Sequence, residues 1–82
     1  MEYFVYVIQS IKDKRLYVGL SKDINTRLKD HNFGRVFSTK GYRPWKLVYK
    51  ENVKDRKTAR LREKYLKSGI GKEYLKSIIT PR

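Results

Sequence analysis

Glu63 is a carboxylate in the middle of an apolar helical stripe. Ala59, Glu63 and Leu66 recur at the spacing of one helix face, and that face is expected to pack on the core. A buried acid needs a partner, and the sequence leaves two open. One is a salt bridge, for which Lys67 stands one turn further on. The other is a divalent cation such as Mg²⁺, which takes few protein carboxylates and completes its shell with water and phosphate oxygens.

Arg27 and His31 form a second pair of reactive side chains, one helical turn apart. They share a side of a predicted helix with Ile24 and Leu28, so both are expected to point toward the sheet rather than to solvent. An arginine there could grip a phosphate through its planar fork, and a histidine could carry a proton near neutral pH. The alternatives are an arginine stem with its head in water and a core histidine bound to a backbone carbonyl.

Two tyrosines on neighbouring predicted strands are expected to bring their phenols together. If the turn between the strands centres near Ile11 and Lys12, Tyr6 and Tyr17 lie almost opposite each other on one face. Gly19 follows on the second strand. Tyrosine is also ordinary strand material, and a glycine at a strand end often marks only a bend.

The first half of the chain predicts a hairpin followed by a helix. Residues 3–8 are β-branched or aromatic at every position, which indicates a central strand that is apolar on both faces. Residues 16–20 resume this character after a polar turn, which predicts an antiparallel partner strand. Asp23 offers a cap for a helix that runs to about Asn32, and Gly34 tolerates the left-handed geometry of a helix end.

A third strand is predicted after the loop that follows this helix. Pro44 opens it, at a position where proline is tolerated on an edge strand. Trp45, Leu47 and Tyr49 recur at every second residue, which predicts that they share one buried face.

Two helices are predicted after the third strand. Asp55 caps a helix that runs to about Ser68. Gly69 and Gly71 are expected to close it, before a short third helix over residues 72–79. The predicted order is therefore strand, strand, helix, strand, helix, helix, which indicates an α+β fold with a sheet flanked by helices.

Length and composition place all of this in one domain, residues 1–82, because a chain of 82 residues is long enough for one hydrophobic core and too short for two. The sequence has no cysteine, which excludes a disulfide framework and a thiolate metal site. No segment approaches the roughly 18 consecutive apolar residues that span a bilayer. A soluble, cytoplasmic protein without membrane association is expected.

Charge is the strongest signal in the composition. Against 8 Asp and Glu stand 21 Lys and Arg, which gives a formal net charge of +13. Binding to nucleic acid neutralises such a charge and releases counterions from the phosphates, so nucleic acid is the expected partner. An acidic protein or an anionic membrane surface is a weaker alternative. The candidates for binding nucleic acid are six basic residues: Lys22, Arg35, Lys40, Arg43, Lys67 and Lys72.

In order and spacing, the candidate residues resemble the GIY-YIG nuclease family. The resemblance covers nearly the whole chain and rests on Val5-Tyr6-Val7, Tyr17-Val18-Gly19, Arg27, His31 and Glu63. Valine replaces isoleucine in the second signature triplet, and Val5 stands where the first has isoleucine. Further phrases look like the small stand-alone bacterial branch of that family: His31-Asn32-Phe33-Gly34, Ser38-Thr39-Lys40, Arg43-Pro44-Trp45 and Lys67-Ser68-Gly69.

The resemblance implies a three-stranded antiparallel sheet flanked by helices and a hydrolase that cleaves phosphodiesters with one divalent metal, Mg²⁺ or Mn²⁺. Glu63 would be the metal ligand. Tyr6 and Tyr17 match the paired tyrosines, one of which helps to deprotonate the attacking water. Arg27 matches the residue that stabilises charge on the phosphate, and His31 stands where the family has His or Tyr.

Two functions from different classes follow. The first is an endonuclease of the DNA repair or recombination type, directed by the structure or backbone of DNA rather than by its sequence, because nothing beyond the catalytic module is present to read bases. It would prefer DNA to RNA, use no small-molecule cofactor, and act as a monomer or weak dimer. The second is a noncatalytic nucleic-acid binder. Residues 70–79 favour the second, because they lack the Asn that many active relatives place after the metal-binding Glu.

Overall fold

The computed structural model describes residues 2–79 of the chain. It has three strands and three α-helices in the predicted order: β1 (Tyr3–Ser10), β2 (Leu16–Ser21), α1 (Ile24–Asn32), β3 (Trp45–Val53), α2 (Arg56–Lys67) and α3 (Gly69–Ile79), with a short 3₁₀ helix (Lys40–Tyr42) before β3. The sheet is antiparallel in the order β2-β1-β3, so the fold class is the predicted α+β arrangement. None of the helices in the described part is long and apolar enough to cross a membrane.

The central position of β1 explains why its residues are apolar on both faces. Residues 5–8 of this strand are all buried, as predicted. Val5 and Val7 pack on one side of the sheet, in the cluster that includes Leu66 of α2. Tyr6 and Ile8 pack on the other side, in a second cluster with Ile24 of α1 and Trp45. The sheet therefore separates two small cores, and Tyr6 belongs to the one that faces α1.

The hairpin turn lies further along the chain than the sequence predicts, and this changes the register. Ser10 ends β1: its backbone pairs with Arg15 and Lys14, and its Oγ accepts the N–H groups of Lys12 and Asp13. Lys14 takes a positive φ of 70° to close the loop.

As a result, Tyr6 pairs with Gly19, and Tyr17 pairs with Ile8. The expectation that the two tyrosines lie opposite each other was wrong. They do share one face of the sheet, as diagonal neighbours.

A bulge in β3 overturns the prediction of a single buried face on that strand. Val7 pairs with Tyr49 but Ile8 pairs with Leu47, so Val48 is an extra residue in the ladder. The extra residue reverses the alternation. Trp45 packs beside Tyr6, Tyr49 packs on the opposite core, and Leu47 remains 36% exposed.

The helix caps form as predicted, but the two glycines after α2 do not end that helix in the predicted way. Asp23 and Asp55 accept the backbone N–H groups of Thr26 and Thr58 and so begin α1 and α2. α3 begins at Gly69, not after Gly71. Gly71 lies inside α3, where the first turn of this helix packs directly on the backbone at the end of α2 and leaves no room for a side chain.

We expect Gly71→Ala to reduce the free energy of unfolding by about 1–3 kcal/mol, because overpacking of this kind forces the backbone to move. A Cβ at Gly71 would lie 2.1 Å from the carbonyl oxygen of Tyr65 and 2.6 Å from Cα of Leu66. Urea unfolding followed by circular dichroism measures the loss. Gly69→Ala is the matched control, since a Cβ there meets nothing within 4 Å. Equal stability of the two variants would contradict the close helix contact.

An ion-pair network fixes the rotation of α2 against the sheet. Arg62 of α2 donates to both carboxylate oxygens of Glu51 in β3, and the hydroxyl of Tyr49 donates to the same carboxylate. The guanidinium of Arg62 accordingly lowers the pKa of Glu51. Because Arg62 precedes Glu63, this network also sets the direction in which Glu63 leaves the helix.

Candidate active site

A polar cavity of about 380 Å³ lies where the β1-β2 hairpin meets α1 and α2. Its lining residues are Tyr6, Tyr17, Gly19, Leu20, Arg27, Arg56, Arg60, Glu63 and Lys67. Four of the five predicted catalytic residues are therefore brought together from four separate elements. The fifth, His31, is fully buried behind Tyr6.

His31 is held by hydrogen bonds at both ring nitrogens. Its Nε2 lies 2.9 Å from the hydroxyl of Tyr6, and its Nδ1 lies 2.8 Å from Oγ1 of Thr39. The Thr39 hydroxyl donates its proton to the carbonyl of Val36, so it accepts from His31 Nδ1–H. Nε2 is then unprotonated and accepts from Tyr6. The Tyr6 hydroxyl and both ring nitrogens of His31 therefore all have hydrogen-bond partners.

Burial favours the neutral form of both groups in this pair. It raises the pKa of the Tyr6 phenol, which the neighbouring Arg27 guanidinium partly offsets. It lowers the pKa of His31, and the positive charge of Arg27 lowers it further. At neutral pH the pair therefore consists of a neutral phenol that donates to a neutral imidazole.

The lowered pKa of His31 predicts a pH dependence of stability. Between the usual pKa of 6.5 and the lowered value, the unfolded chain binds a proton that the folded protein does not. The contribution of His31 is thus complete above about pH 6.5, and it is lost as the pH falls to the folded-state pKa. His31 is the one histidine of the sequence, so NMR titration of its imidazole measures that pKa directly.

Urea unfolding at about pH 7.5 and pH 5.5 measures the corresponding loss of stability. In Arg27→Gln the pKa of His31 should rise toward its usual value, because one of the charges that lowers it is gone. A wild-type imidazole that titrates at or above 6.5 would contradict the buried, neutral pair.

Gly19 is required by the close approach of Tyr6. A Cβ at Gly19 would lie 2.6 Å from the Tyr6 hydroxyl oxygen and 2.7 Å from its Cζ. Any other residue at this position would push the phenol away from His31. The glycine is therefore more than a strand-end bend, which was the alternative that the sequence left open.

Tyr17 lies beside the pair without a hydrogen bond to it in the described residues. Its ring meets the ring of His31 edge to face, with 5.0 Å between the centroids, and it also packs on Trp45. Tyr17 is more exposed than Tyr6, which is only 1% exposed. The two tyrosines thus have different environments, one joined to a histidine and one facing the cavity.

Arg27 and Glu63 supply the opposite charges of the cavity. Arg27 has a side chain that is 38% exposed and lies 3.5 Å from the carboxylate of Asp30, so its guanidinium remains accessible. The Glu63 side chain is 21% exposed rather than fully buried as predicted, and it accepts from Lys67 Nζ at 3.1 Å. The salt bridge that the sequence suggested is present.

Glu63 also suits a divalent cation. Within residues 2–79 no three His, Cys, Asp or Glu side chains cluster as a metal cage. Mg²⁺ needs no such cage, because it binds through one or two carboxylates and keeps several waters and phosphate oxygens. A single carboxylate that reaches into an open polar cavity fits this ligand set. With a cation bound to Glu63, Lys67 would move aside or contact a phosphate group that shares the cation.

The residues predicted to bind nucleic acid are not brought to one place. Lys67 lines the cavity, and both Lys67 and Lys72 line a neighbouring groove of about 1310 Å³, which shares Tyr17 and Lys67 with the cavity. Arg35, Lys40 and Arg43 lie on the exposed segment between α1 and β3. Lys22 stacks over the ring of Tyr3. The groove has six basic side chains and no acidic one: Lys14, Arg15, Lys46, Lys67, Lys72 and Lys76.

Sequence reasoning missed three residues of the site. Arg56 and Arg60 line the cavity, and their spacing of four residues, with Glu63 three further on, could have revealed that they share a helix face. Thr39 is 1% exposed and orients His31. The phrase Ser38-Thr39-Lys40 includes it but gives it no role, because Thr39 lies in an irregular segment and meets His31 only through the tertiary fold.

Comparisons with known proteins agree on one family. Residues 2–74 match the family model described as the GIY-YIG catalytic domain. A UPF0213 protein of Staphylococcus epidermidis is 37% identical over 78 residues, which cover 94% of each chain. One from Staphylococcus aureus is 36% identical over 77 residues, which cover 93% of each chain.

A solved structure has the same arrangement. The solution NMR structure of the UPF0213 protein from Bacillus halodurans superposes with a TM-score of 0.58 at 30% identity. The match covers 99% of this chain and 89% of that one. The sequence-based prediction of fold and family is confirmed.

Proposed function

This chain belongs to the GIY-YIG family, whose catalytic domain is of the nuclease type, and on that premise we propose that it is a metal-dependent endonuclease that hydrolyses phosphodiester bonds in DNA. The observation that carries the proposal is the hydrogen bond from Tyr6 to a neutral, fully buried His31. Such a pair can take up a proton, and it borders the same cavity as Glu63 and Arg27. A protein that only binds nucleic acid would require neither the buried proton-accepting pair nor a carboxylate in the same cavity.

Proton transfer would begin at Tyr6. As a water molecule attacks the phosphorus, its proton passes to the phenolic oxygen, and the phenolic proton passes to Nε2 of His31. The bond from phosphorus to the leaving sugar oxygen breaks in the same step, and that oxygen takes a proton from solvent. Nδ1–H stays bound to Thr39, so the ring does not have to turn. His31 ends the step as an imidazolium, and Tyr6 ends it neutral. The imidazolium later returns its proton through Tyr6 to solvent.

The charge that develops on the phosphate would be stabilised by Arg27, whose guanidinium is fixed by Asp30 at one edge of the cavity. Glu63 would hold the divalent metal. The metal, when bound, supplies Lewis-acid stabilisation of a phosphate oxygen. Tyr17 would position the substrate through the part of its side chain that lines the cavity.

Substrate selection would rest on the backbone rather than on bases. The cavity and the basic groove beside it both present several cationic side chains, which contact phosphates without reading sequence. We propose DNA in preference to RNA, a role of the repair or recombination type, and action in the cytoplasm. The absence of cysteine suits that reducing compartment.

Supercoiled plasmid incubated with the purified protein and Mg²⁺ or Mn²⁺, beside a sample with EDTA, tests the proposal. The expected result is conversion to the nicked form only where the metal is present. Nicking that persists in EDTA would refute the metal dependence, and salt-dependent binding without nicking under any condition would refute the enzyme.

The second outcome would establish the alternative, a noncatalytic nucleic-acid binder with the same fold. Two observations favour that alternative. The Glu63 carboxylate is already paired with Lys67, and residues 70–79 contain no Asn or Gln. A binding assay with the same plasmid, run in parallel, separates it from an inactive or unfolded preparation.

A further inference from the structure

Four residues of α2 form one stripe along the cavity: Arg56, Arg60, Glu63 and Lys67. Their spacing of four, three and four residues keeps them on one face of the helix. We call this set the α2 stripe. It places two arginines on one side of the carboxylate and a lysine on the other.

The two arginines of the α2 stripe have no partner of opposite charge within residues 2–79, whereas Glu63 is paired with Lys67. The described ion pairs elsewhere involve other basic residues: Arg15, Arg27, Arg35 and Arg62. Helix stability does not explain Arg56 either. It is the first residue of α2, where a positive charge is electrostatically unfavourable.

We propose that Arg56 and Arg60 form a second phosphate site, in which each arginine binds one of the phosphates next to the one that is cleaved. This inference rests on the proposed function, because it takes Glu63 and Arg27 as the place of the scissile phosphate. A guanidinium offers parallel N–H donors that match phosphate oxygens. The chemistry of the ligand is thus a flanking phosphate of the same nucleic-acid strand.

The geometry of α2 fits this spacing. With a rise of 1.5 Å per residue, Arg60 lies about 4.5 Å and Arg56 about 10 Å along the axis from Glu63. One phosphate at Glu63 cannot therefore engage both arginines. A DNA strand supplies a phosphate about every 3.4 Å of its helix axis, so neighbouring phosphates reach them. A substrate with an isolated phosphodiester would bind poorly.

The test is the salt dependence of DNA binding, measured by fluorescence anisotropy with a labelled duplex of about 20 base pairs in EDTA, for two variants of equal charge. Arg56→Gln with Arg60→Gln removes the proposed site. Lys57→Gln with Lys64→Gln removes the same charge from a neighbouring, exposed face of α2.

We expect the arginine variant to bind about 10-fold more weakly per lost contact at 0.1 M salt. Its slope of log affinity against log salt should be shallower by about two, one for each phosphate contact. The lysine variant should keep the wild-type slope. Equal slopes for the two variants, whether both changed or both unchanged, would overturn the phosphate site.

A third variant guards against a folding defect. Arg60→Lys keeps the charge and loses the planar fork, so it should weaken binding while it preserves the slope. Wild-type strength would overturn the role of the fork at Arg60. Plasmid nicking with Mg²⁺ is assayed on the same preparations. If the wild type does not nick but the arginine variant alone loses slope, the endonuclease proposal fails and the phosphate site stands.

Discussion

Glu63→Gln is expected to reduce metal-dependent nicking by at least about 10³-fold, equivalent to some 4 kcal/mol of transition-state stabilisation. Glutamine keeps the size of the side chain and its place in the α2 stripe, but it removes the negative charge that would hold the metal. The fold should survive, because the lost pair with Lys67 is partly exposed and such pairs contribute less than about 1 kcal/mol. Initial nicking rates and urea unfolding measure the two effects separately.

The matched control for this prediction is Glu73→Gln, which removes one negative charge from an exposed position of α3. It should leave the nicking rate within about two-fold of wild type, since surface substitutions away from such features have small effects. The two variants have the same net charge, so a general change in DNA affinity would affect both alike. Equal activity of Glu63→Gln and wild type would show that Glu63 holds no metal.

Tyr6→Phe has the second largest expected effect, a loss of about 10²- to 10⁴-fold in the nicking rate. The substitution keeps the ring in its core and removes only the hydroxyl that joins the cavity to His31. It also leaves Nε2 of a buried histidine without a donor, which costs about 1–3 kcal/mol of stability. The rate is therefore compared at a temperature where both proteins are fully folded.

Tyr17→Phe separates the roles of the two phenols. Because the Tyr17 hydroxyl has no hydrogen bond to His31, its loss should leave the proton pathway intact and reduce the rate by about ten-fold or less. If Tyr17→Phe were the more damaged variant, Tyr17 rather than Tyr6 would be the base.

The nicking activity of the wild type should also decline below the lowered pKa of His31, where the imidazole no longer accepts a proton.

Local sequence patterns predicted the elements well, because strand and helix signals here are strong. The run of β-branched and aromatic residues in β1 has no competing interpretation, and Asp23 and Asp55 both cap helices. The predictions failed where the outcome depends on contacts that sequence spacing does not contain. The hairpin register followed from the two bonds that Ser10 Oγ accepts, which moved the turn by one residue and the pairing by two.

In β3 and at the glycines, too, the outcome depends on tertiary contacts that local sequence patterns do not contain. The bulge at Val48 reconciles a strand that must pack Trp45 on one core and Tyr49 on the other. Gly71 suggested a helix end by its conformational freedom, yet what it provides is the absence of a side chain against the backbone of Leu66. The residue type indicated that glycine is required, but not whether the reason is backbone conformation or the lack of space for a side chain.

For the candidate site, the sequence singled out four residues that the fold brings to one cavity, and it missed three others on α2 and in an irregular segment. Tyr6, Tyr17, Arg27 and Glu63 come together because hairpin and helices place them there. Thr39 reaches His31 across an irregular segment, and Arg56 and Arg60 matter only once α2 is seen to border the cavity.

Trp45 is the one tryptophan of the sequence, and its surroundings make it an internal optical probe of this site. Its indole N–H donates to the carbonyl of Thr39, whose hydroxyl binds His31, and its ring packs on Tyr17. The tryptophan emission therefore originates close to the imidazole, with only Thr39 between the two side chains. Changes in its intensity with pH or with added DNA can follow the site in real time, without any label.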